Sequence, residues 1–167
     1  MPIENLGEGT TLILAWSAGA CWAVSEFVSL RQPARRDRAW WMAACGLLWL
    51  HIACAFEVHH GWSHAAAYAH TARETEKVVG VDWGGGLWFN YAFLLAWTAD
   101  ATLCRRACAR AGKAVARLHA TVRAAAVFFW FNAAVVFAQG PSRYASMAAF
   151  VVLLAVWVAP RAARHSV

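Results

Sequence analysis

Long apolar stretches alternate with short polar segments along the chain. The apolar stretches run approximately over residues 10–30, 39–58, 87–104, 124–139 and 145–160. A hydrocarbon core of about 30 Å needs about 20 helical residues. The first two stretches reach that length, and the last three reach it when flanking residues join their helices. The pattern predicts an all-α integral membrane protein, a bundle of about five transmembrane helices.

Composition supports the same fold class. The chain has 167 residues, of which 61% are hydrophobic and 14% charged. Soluble domains have roughly 45–50% apolar and about 25% charged residues. The sequence also has 11 Trp, a residue enriched at membrane interfaces. We expect one transmembrane helical domain over residues 1–167.

The basic residues predict an orientation. Twelve of the 15 Lys and Arg residues lie in three segments, 31–38, 105–123 and 161–164. Cytoplasmic loops carry an excess of Lys and Arg, so we expect the N-terminus outside and the C-terminus in the cytoplasm, with the cell inner membrane as the location. Anionic lipid headgroups account for the basic charge. The expected partners are therefore the lipid bilayer and, as options, other membrane subunits or a homo-oligomer, but not nucleic acid.

Histidine is concentrated around the end of the second span. Five of the seven histidines lie in residues 51–70. The residues after His64 are strong helix formers, so the second helix is expected to extend beyond the membrane on the outer side to about Val79. Gly61 permits a bend near the interface. The outer segment, residues 57–86, is the most informative part of the chain.

This segment contains spacings that metal sites use. Side chains three or four residues apart on a helix lie one turn apart and can approach one ion. At about 100° per residue, six candidate ligands sort into two stripes, each with two histidines and one glutamate. The predicted metal ligands are Glu57, His60 and His64 on one stripe, and His59, His70 and Glu74 on the other.

The spacing over residues 57–64 also resembles fragments of the histidine boxes of membrane desaturases and hydroxylases. Those enzymes carry several boxes on the cytoplasmic side, whereas this chain has one cluster at the opposite end, so the chain is not assigned to that family. Iron or copper is the favoured ion, zinc is an alternative, and haem is less favoured. The alternative to a site is that these histidines are amphipathic residues at the headgroup level.

Several polar residues lie inside the predicted spans. His51 is near the middle of the second span, where an ionisable group suggests a function, and it is a candidate cofactor ligand. The alternative is a neutral imidazole bonded to another helix. The remaining intramembrane polar candidates are Glu26, Asp100, Asn90 and Asn132. Glu26 and Asp100 are expected at similar depth near the cytoplasmic end. Pairing with nearby arginines such as Arg31 and Arg105 is favoured, and the alternatives are a shared proton or a hydrated cavity.

The sequence favours a metal-binding membrane protein, with redox activity as one option. An enzyme of this kind would be an iron- or copper-dependent membrane oxidoreductase. Two alternatives stay open at this point: a non-catalytic structural or assembly subunit of a larger complex, and a haem-binding electron-transfer or proton-conducting membrane protein.

Overall fold

The protein is helical wherever its structure is described. The structure is a computed structural model that describes residues 2–31, 38–107, 112–138 and 140–158, and these ranges contain no strand. The six α-helices within these ranges are α1 Pro2–Arg31, α2 Arg38–Ala55, α3 His64–Val79, α4 Gly86–Ala107, α5 Lys113–Phe131 and α6 Pro141–Val158. A π-helical turn extends α2 over Phe56–His60, and another extends α5 over Asn132–Val136.

Three helical segments are long and apolar enough to cross a membrane: Gly7–Ser29, Arg38–His60 and Lys113–Val136. A fourth segment, Arg143–Ala155, is apolar but shorter. Large apolar side chains also cover the outside of the bundle, among them Ile13 with 67% of its surface exposed. A lipid environment accounts for such exposure, because hydrocarbon chains bury these side chains. The helices therefore indicate a membrane protein.

Neighbouring helices pack antiparallel around a common core. Thr11 near the start of α1 lies 3.2 Å from Cys54 near the end of α2. Aromatic pairs join the other helices, with ring centroids 4.6 Å apart for Trp41 and Trp97, 4.4 Å for Phe93 and Phe129, and 5.9 Å for Trp22 and Phe150. The C-terminal ends of α1 and α4 consequently lie at the same end of the bundle as the N-terminal ends of α2 and α5.

The chain bends sharply between α2 and α3. Gly61 and Trp62 both have positive φ, +52° and +58°, a region that glycine adopts far more readily than other residues. The Ser63 side chain then caps α3 by accepting a hydrogen bond from the Ala66 amide at 3.2 Å. The predicted bend at Gly61 is confirmed. The predicted extension to Val79 is helical, but it forms a separate helix, α3, rather than a continuation of α2. The two predicted stripes of ligands assume one continuous helix, so they do not describe residues on opposite sides of this bend.

Glycine also shapes the return from α3 to α4. A Cβ atom on Gly84 would collide with the carbonyl oxygen of Tyr68 in α3. Only glycine allows the two backbones to approach this closely. The loop therefore holds α3 against the start of α4, next to the histidine-rich end of the bundle.

Candidate functional site

Two imidazole rings from different elements meet at the histidine-rich end of the bundle. His60 ends the π-helical turn and His70 lies on α3, and their ring centroids are 5.4 Å apart. His59 is the third ring in this group, at 6.2 Å from His60. The bend at Gly61 creates this arrangement because it sets α3 beside the end of α2. We call His59, His60 and His70 the histidine cluster.

The other predicted ligands face different partners. The indole N–H of Trp62 donates a hydrogen bond to the Glu57 carboxylate. His64 packs among aromatic rings, 4.9 Å from Trp88 and 5.7 Å from Tyr91 between centroids. The structure thus pairs His60 with His70, from the opposite predicted stripe, rather than with His64.

Glu74 is bound to a lysine on the same helix. The Lys77 ammonium donates to its carboxylate at 2.6 Å, and this bond holds the pKa of Glu74 below its usual value. A lowered pKa means that the pairing stabilises the protein above the ordinary pKa of the carboxyl and is lost as the pH falls through the lowered one. Both side chains are substantially exposed, so the contribution is small.

No complete ligand set is preformed among the described residues, since no group of three or more His, Cys, Asp or Glu side chains there is placed to hold a metal ion. The physical reason is the bend, which separates His64 from His60, together with the local partners of Glu57 and Glu74. The cluster offers a close pair, His60 and His70, with His59 next to it.

His51 lies deeper and lines a cavity of about 260 Å³ together with His60, Asn90 and Tyr91. Its Nδ1 is 3.0 Å from the carbonyl oxygen of Thr11 on α1. A carbonyl only accepts hydrogen bonds, so Nδ1 carries a proton and donates it to this bond. This hydrogen bond to α1 agrees with the alternative that His51 is an imidazole bonded to another helix. It also fixes the orientation of the ring, as a hydrogen bond from the second ring nitrogen does for metal-binding histidines.

A second polar group is buried at the opposite end of the bundle. Asp100 on α4 is fully buried and accepts a 2.9 Å hydrogen bond from the Trp41 indole on α2. Its carboxylate also lies 2.9 and 3.1 Å from Nδ1 of His119 on α5. Charged groups inside a membrane bundle are normally paired in this way.

Glu26 on α1 joins the same group through Arg123. The guanidinium of Arg123 lies 3.0 Å from the Glu26 carboxylate and 5.0 Å from the centre of the Trp41 ring. Glu26 and Asp100 do lie near one end of the bundle, as expected, but Arg123 and His119 are the partners that the structure shows. The side chains of Arg31 and Arg105, the expected partners, lie outside the described residues. We call Glu26, Trp41, Asp100, His119 and Arg123 the buried network.

Sequence reasoning missed His119, Arg123 and Trp41. It counted the arginines of residues 105–123 as cytoplasmic charge between the third and fourth apolar stretches. It allowed flanking residues to join the fourth helix, as they do in α5, which begins at Lys113, but it did not consider their side chains as partners inside the bundle. His119 and Arg123 are four residues apart on α5, and that spacing was the available signal. Asn132, one of the intramembrane polar candidates, donates to the Phe128 carbonyl of its own helix at 2.8 Å.

Compared with protein-family models, with curated proteins and with solved structures, the chain matches none of them. The geometry of its side chains is therefore the basis for a functional assignment.

Proposed function

We propose that this protein is a multi-pass membrane protein that binds a transition-metal ion in its histidine cluster. The observation that carries the proposal is the His60–His70 pair, which brings together rings from two elements at a centroid separation of 5.4 Å. Residues far apart on a continuous helix would not meet in this way, so the bend at Gly61 is part of the site.

The separation suits two ligands of one ion. A metal–nitrogen bond of about 2.0–2.1 Å places each imidazole centroid about 3.2 Å from the ion. Two such rings around a tetrahedral ion then have centroids about 5 Å apart. The His60–His70 distance is close to this value, so both rings can bind one ion with little movement of the helices.

A third ligand can come from the same cluster. His59 is exposed, so its side chain can rotate toward the ion at low cost. Glu74 lies one turn after His70 on α3 and can approach the ion when it leaves Lys77. Imidazole ligands suit copper, iron and zinc. Copper or iron is favoured as in the sequence analysis, with zinc as the alternative.

Five spans and the predicted orientation belong to the same proposal. At about 1.5 Å per residue, the 22 residues of α4 and the 18 residues of α6 extend about 33 and 27 Å, close to the hydrocarbon thickness of about 30 Å. In the sequence, the arginine-rich segments adjoin the helix ends at which the buried network lies. By the positive-inside rule the histidine cluster then faces the outside, and the inner membrane is the expected location.

Metal content of the purified full-length protein tests the site. We expect about one ion per chain by elemental analysis, since the cluster offers a single mononuclear site. His60→Ala and His70→Ala should each abolish retention of the ion. His64→Ala is the matched control, because His64 lies on the same face of the protein but packs against Trp88 and Tyr91; it should keep the ion. Equal loss in all three variants, or no bound metal in the wild type, contradicts the proposal.

A further inference from the structure

The cavity that contains His51, here called the polar cavity, extends from the histidine-rich end of the bundle toward its middle. Its lining comes from α1, α2, α3, α4 and α5 and from both π-helical turns. His60 lines it and also belongs to the histidine cluster, whose other members, His59 and His70, are exposed. His51 precedes His60 by nine residues in the apolar segment Arg38–His60, which is about 13 Å along the helix. The cavity therefore joins the exposed end to a histidine deep in a membrane-spanning segment.

Polar groups line the cavity at both depths. Asn90 and Tyr91 on α4 bring an amide and a hydroxyl to the histidine-rich end, where the Tyr91 ring lies 6.5 Å from the Phe56 ring at the end of α2. Thr71 on α3 adds a second hydroxyl there. His51 supplies an imidazole further in. A small molecule that both donates and accepts hydrogen bonds can therefore find partners along the cavity.

Water has these properties, and the cavity has room for several molecules. A cavity holds water when it is polar and offers at least about 10–15 Å³ for each molecule, and this one has about 260 Å³. Ionisable residues within membrane spans usually face the bundle interior or a water-filled cavity. His51 uses Nδ1 for the Thr11 carbonyl at 3.0 Å. Water can pair with its second ring nitrogen in either protonation state, because water both donates and accepts.

Aromatic rings close the inner end of the cavity. Phe93 and Phe129 line it and stack with their centroids 4.4 Å apart. The Trp97 ring, which is fully buried, lies 5.3 Å from Phe93 and 4.6 Å from Trp41 of the buried network. These rings lie between the cavity and the buried network, so the cavity ends before it reaches that network.

We infer that the polar cavity is a water-filled inlet, which admits water and small polar solutes from the histidine-rich end of the bundle to His51. The inlet explains how an imidazole is accommodated at this depth. It stands whether or not the histidine cluster binds a metal ion, because neither its lining nor its entrance requires a bound ion.

Cysteine labelling along α2 tests the inference. The full-length protein, with its native cysteines replaced by alanine, is placed in phospholipid nanodiscs with a chelator, so that neither orientation nor bound metal enters the result. Ile52→Cys and Ala55→Cys introduce thiols in the lining, whereas Leu50→Cys and Ala53→Cys introduce them at exposed positions outside it. A charged methanethiosulfonate is excluded from hydrocarbon and reacts with the thiolate, which apolar surroundings disfavour. The lining positions should therefore react roughly tenfold faster or more.

The order of the rates locates the entrance. Ala55→Cys should react faster than Ile52→Cys, and Leu48→Cys should be the slowest of the lining positions, because Ala55 is nearest to the histidine-rich end. The reverse order would place the entrance elsewhere and contradict the inference. Equal rates at lining and exposed positions, or no reaction at the lining positions, would also contradict it.

Water-edited NMR of the wild-type protein gives a second test that needs no cysteine variant. The transfer of magnetisation from water to the His51 ring is measured in nanodiscs with labelled histidine and tryptophan, and the His51 signal is assigned by its loss in His51→Gln. The ring should receive magnetisation about as fast as the exposed His64 and much faster than the fully buried Trp97. Transfer to His51 as slow as transfer to Trp97 would show a cavity that is dry or filled by lipid, and would overturn the inference.

Discussion

Asp100 is a fully buried carboxylate whose partners come from two other helices. Trp41 on α2 donates to it at 2.9 Å, and His119 on α5 lies within 3.1 Å of both carboxylate oxygens. An isolated buried charge would be very costly in an apolar bundle. These contacts offset that cost and tie α2, α4 and α5 together at the end opposite the histidine cluster.

Replacing Asp100 with alanine should therefore destabilise the bundle. The change leaves the Trp41 indole N–H without this acceptor, and an unsatisfied buried donor costs about 1–3 kcal/mol. The thermal unfolding midpoint in detergent should fall clearly below that of the wild type. Asn132→Ala is the control, because it removes a hydrogen bond made only to Phe128 within the same helix; a shift as large as that of Asp100→Ala would contradict the role of the network.

At the residue scale, the sequence identifies unusual polar residues within the apolar stretches better than it identifies the residues with which they pair. It indicates that Glu26 and Asp100 are unusual because both interrupt apolar stretches. Their partners His119 and Arg123 depend on the register of α5 against α1 and α4, which is a tertiary property. The same limit applies to the histidines, since a pairing of His60 with His70 requires the angle between α2 and α3.

The bend between α2 and α3 is the element that sets the histidine geometry. Gly61 has a φ of +52°, and a Cβ atom at this position would have no neighbour within 4 Å. Glycine is therefore favoured at position 61 by the backbone conformation and not by a lack of space for a side chain. Its consequence is that α3 turns back toward α4 and brings His70 to the end of α2.

Gly61→Ala should disturb both the bend and the metal site. A side chain in the left-handed conformation costs about 1–2 kcal/mol, and a shift of α3 to relieve it would separate His70 from His60. We expect a several-fold weaker affinity for the metal together with a lower unfolding midpoint, measured by metal titration and by thermal unfolding. Gly61→Asn should be milder, because asparagine tolerates this region.

Gly46→Ala provides the matched glycine control for that experiment. Gly46 lies within α2, has no positive φ, and has no neighbour within 4 Å of a built Cβ. Alanine is favoured over glycine in helices, so this variant should keep the metal affinity and unfold no earlier than the wild type. A Gly61→Ala protein that behaves like Gly46→Ala would show that the bend does not position the site.

Element boundaries follow from the hydrophobic pattern where a helix is uniform. The first two predicted spans, 10–30 and 39–58, lie within α1 and within α2 with its π-helical turn. The predicted fourth stretch, 124–139, reaches membrane length only when flanking residues join its helix, and α5 does begin earlier, at Lys113. Arginines near a membrane surface belong to helices as readily as to loops, so charge alone does not mark where a helix begins.

The two groups of polar residues, the buried network and the histidine cluster, lie at opposite ends of the molecule. The buried network lies at the end where α1 and α4 finish and α2 and α5 begin, and the histidine cluster lies at the other. Antiparallel packing of α1, α2, α4 and α5 produces this division. The apolar segments between the two ends, such as Gly7–Ser29 and Arg38–His60, suit the bilayer.

Metal removal from oriented membrane vesicles tests the central claim most directly, because it depends on both the site and its side of the membrane. We predict that a membrane-impermeant chelator strips the ion from the protein in right-side-out vesicles and leaves it bound in inside-out vesicles. The His60→Ala protein in the same vesicles sets the background. Metal at that background in wild-type vesicles, or loss of the ion from inside-out vesicles alone, would contradict the account.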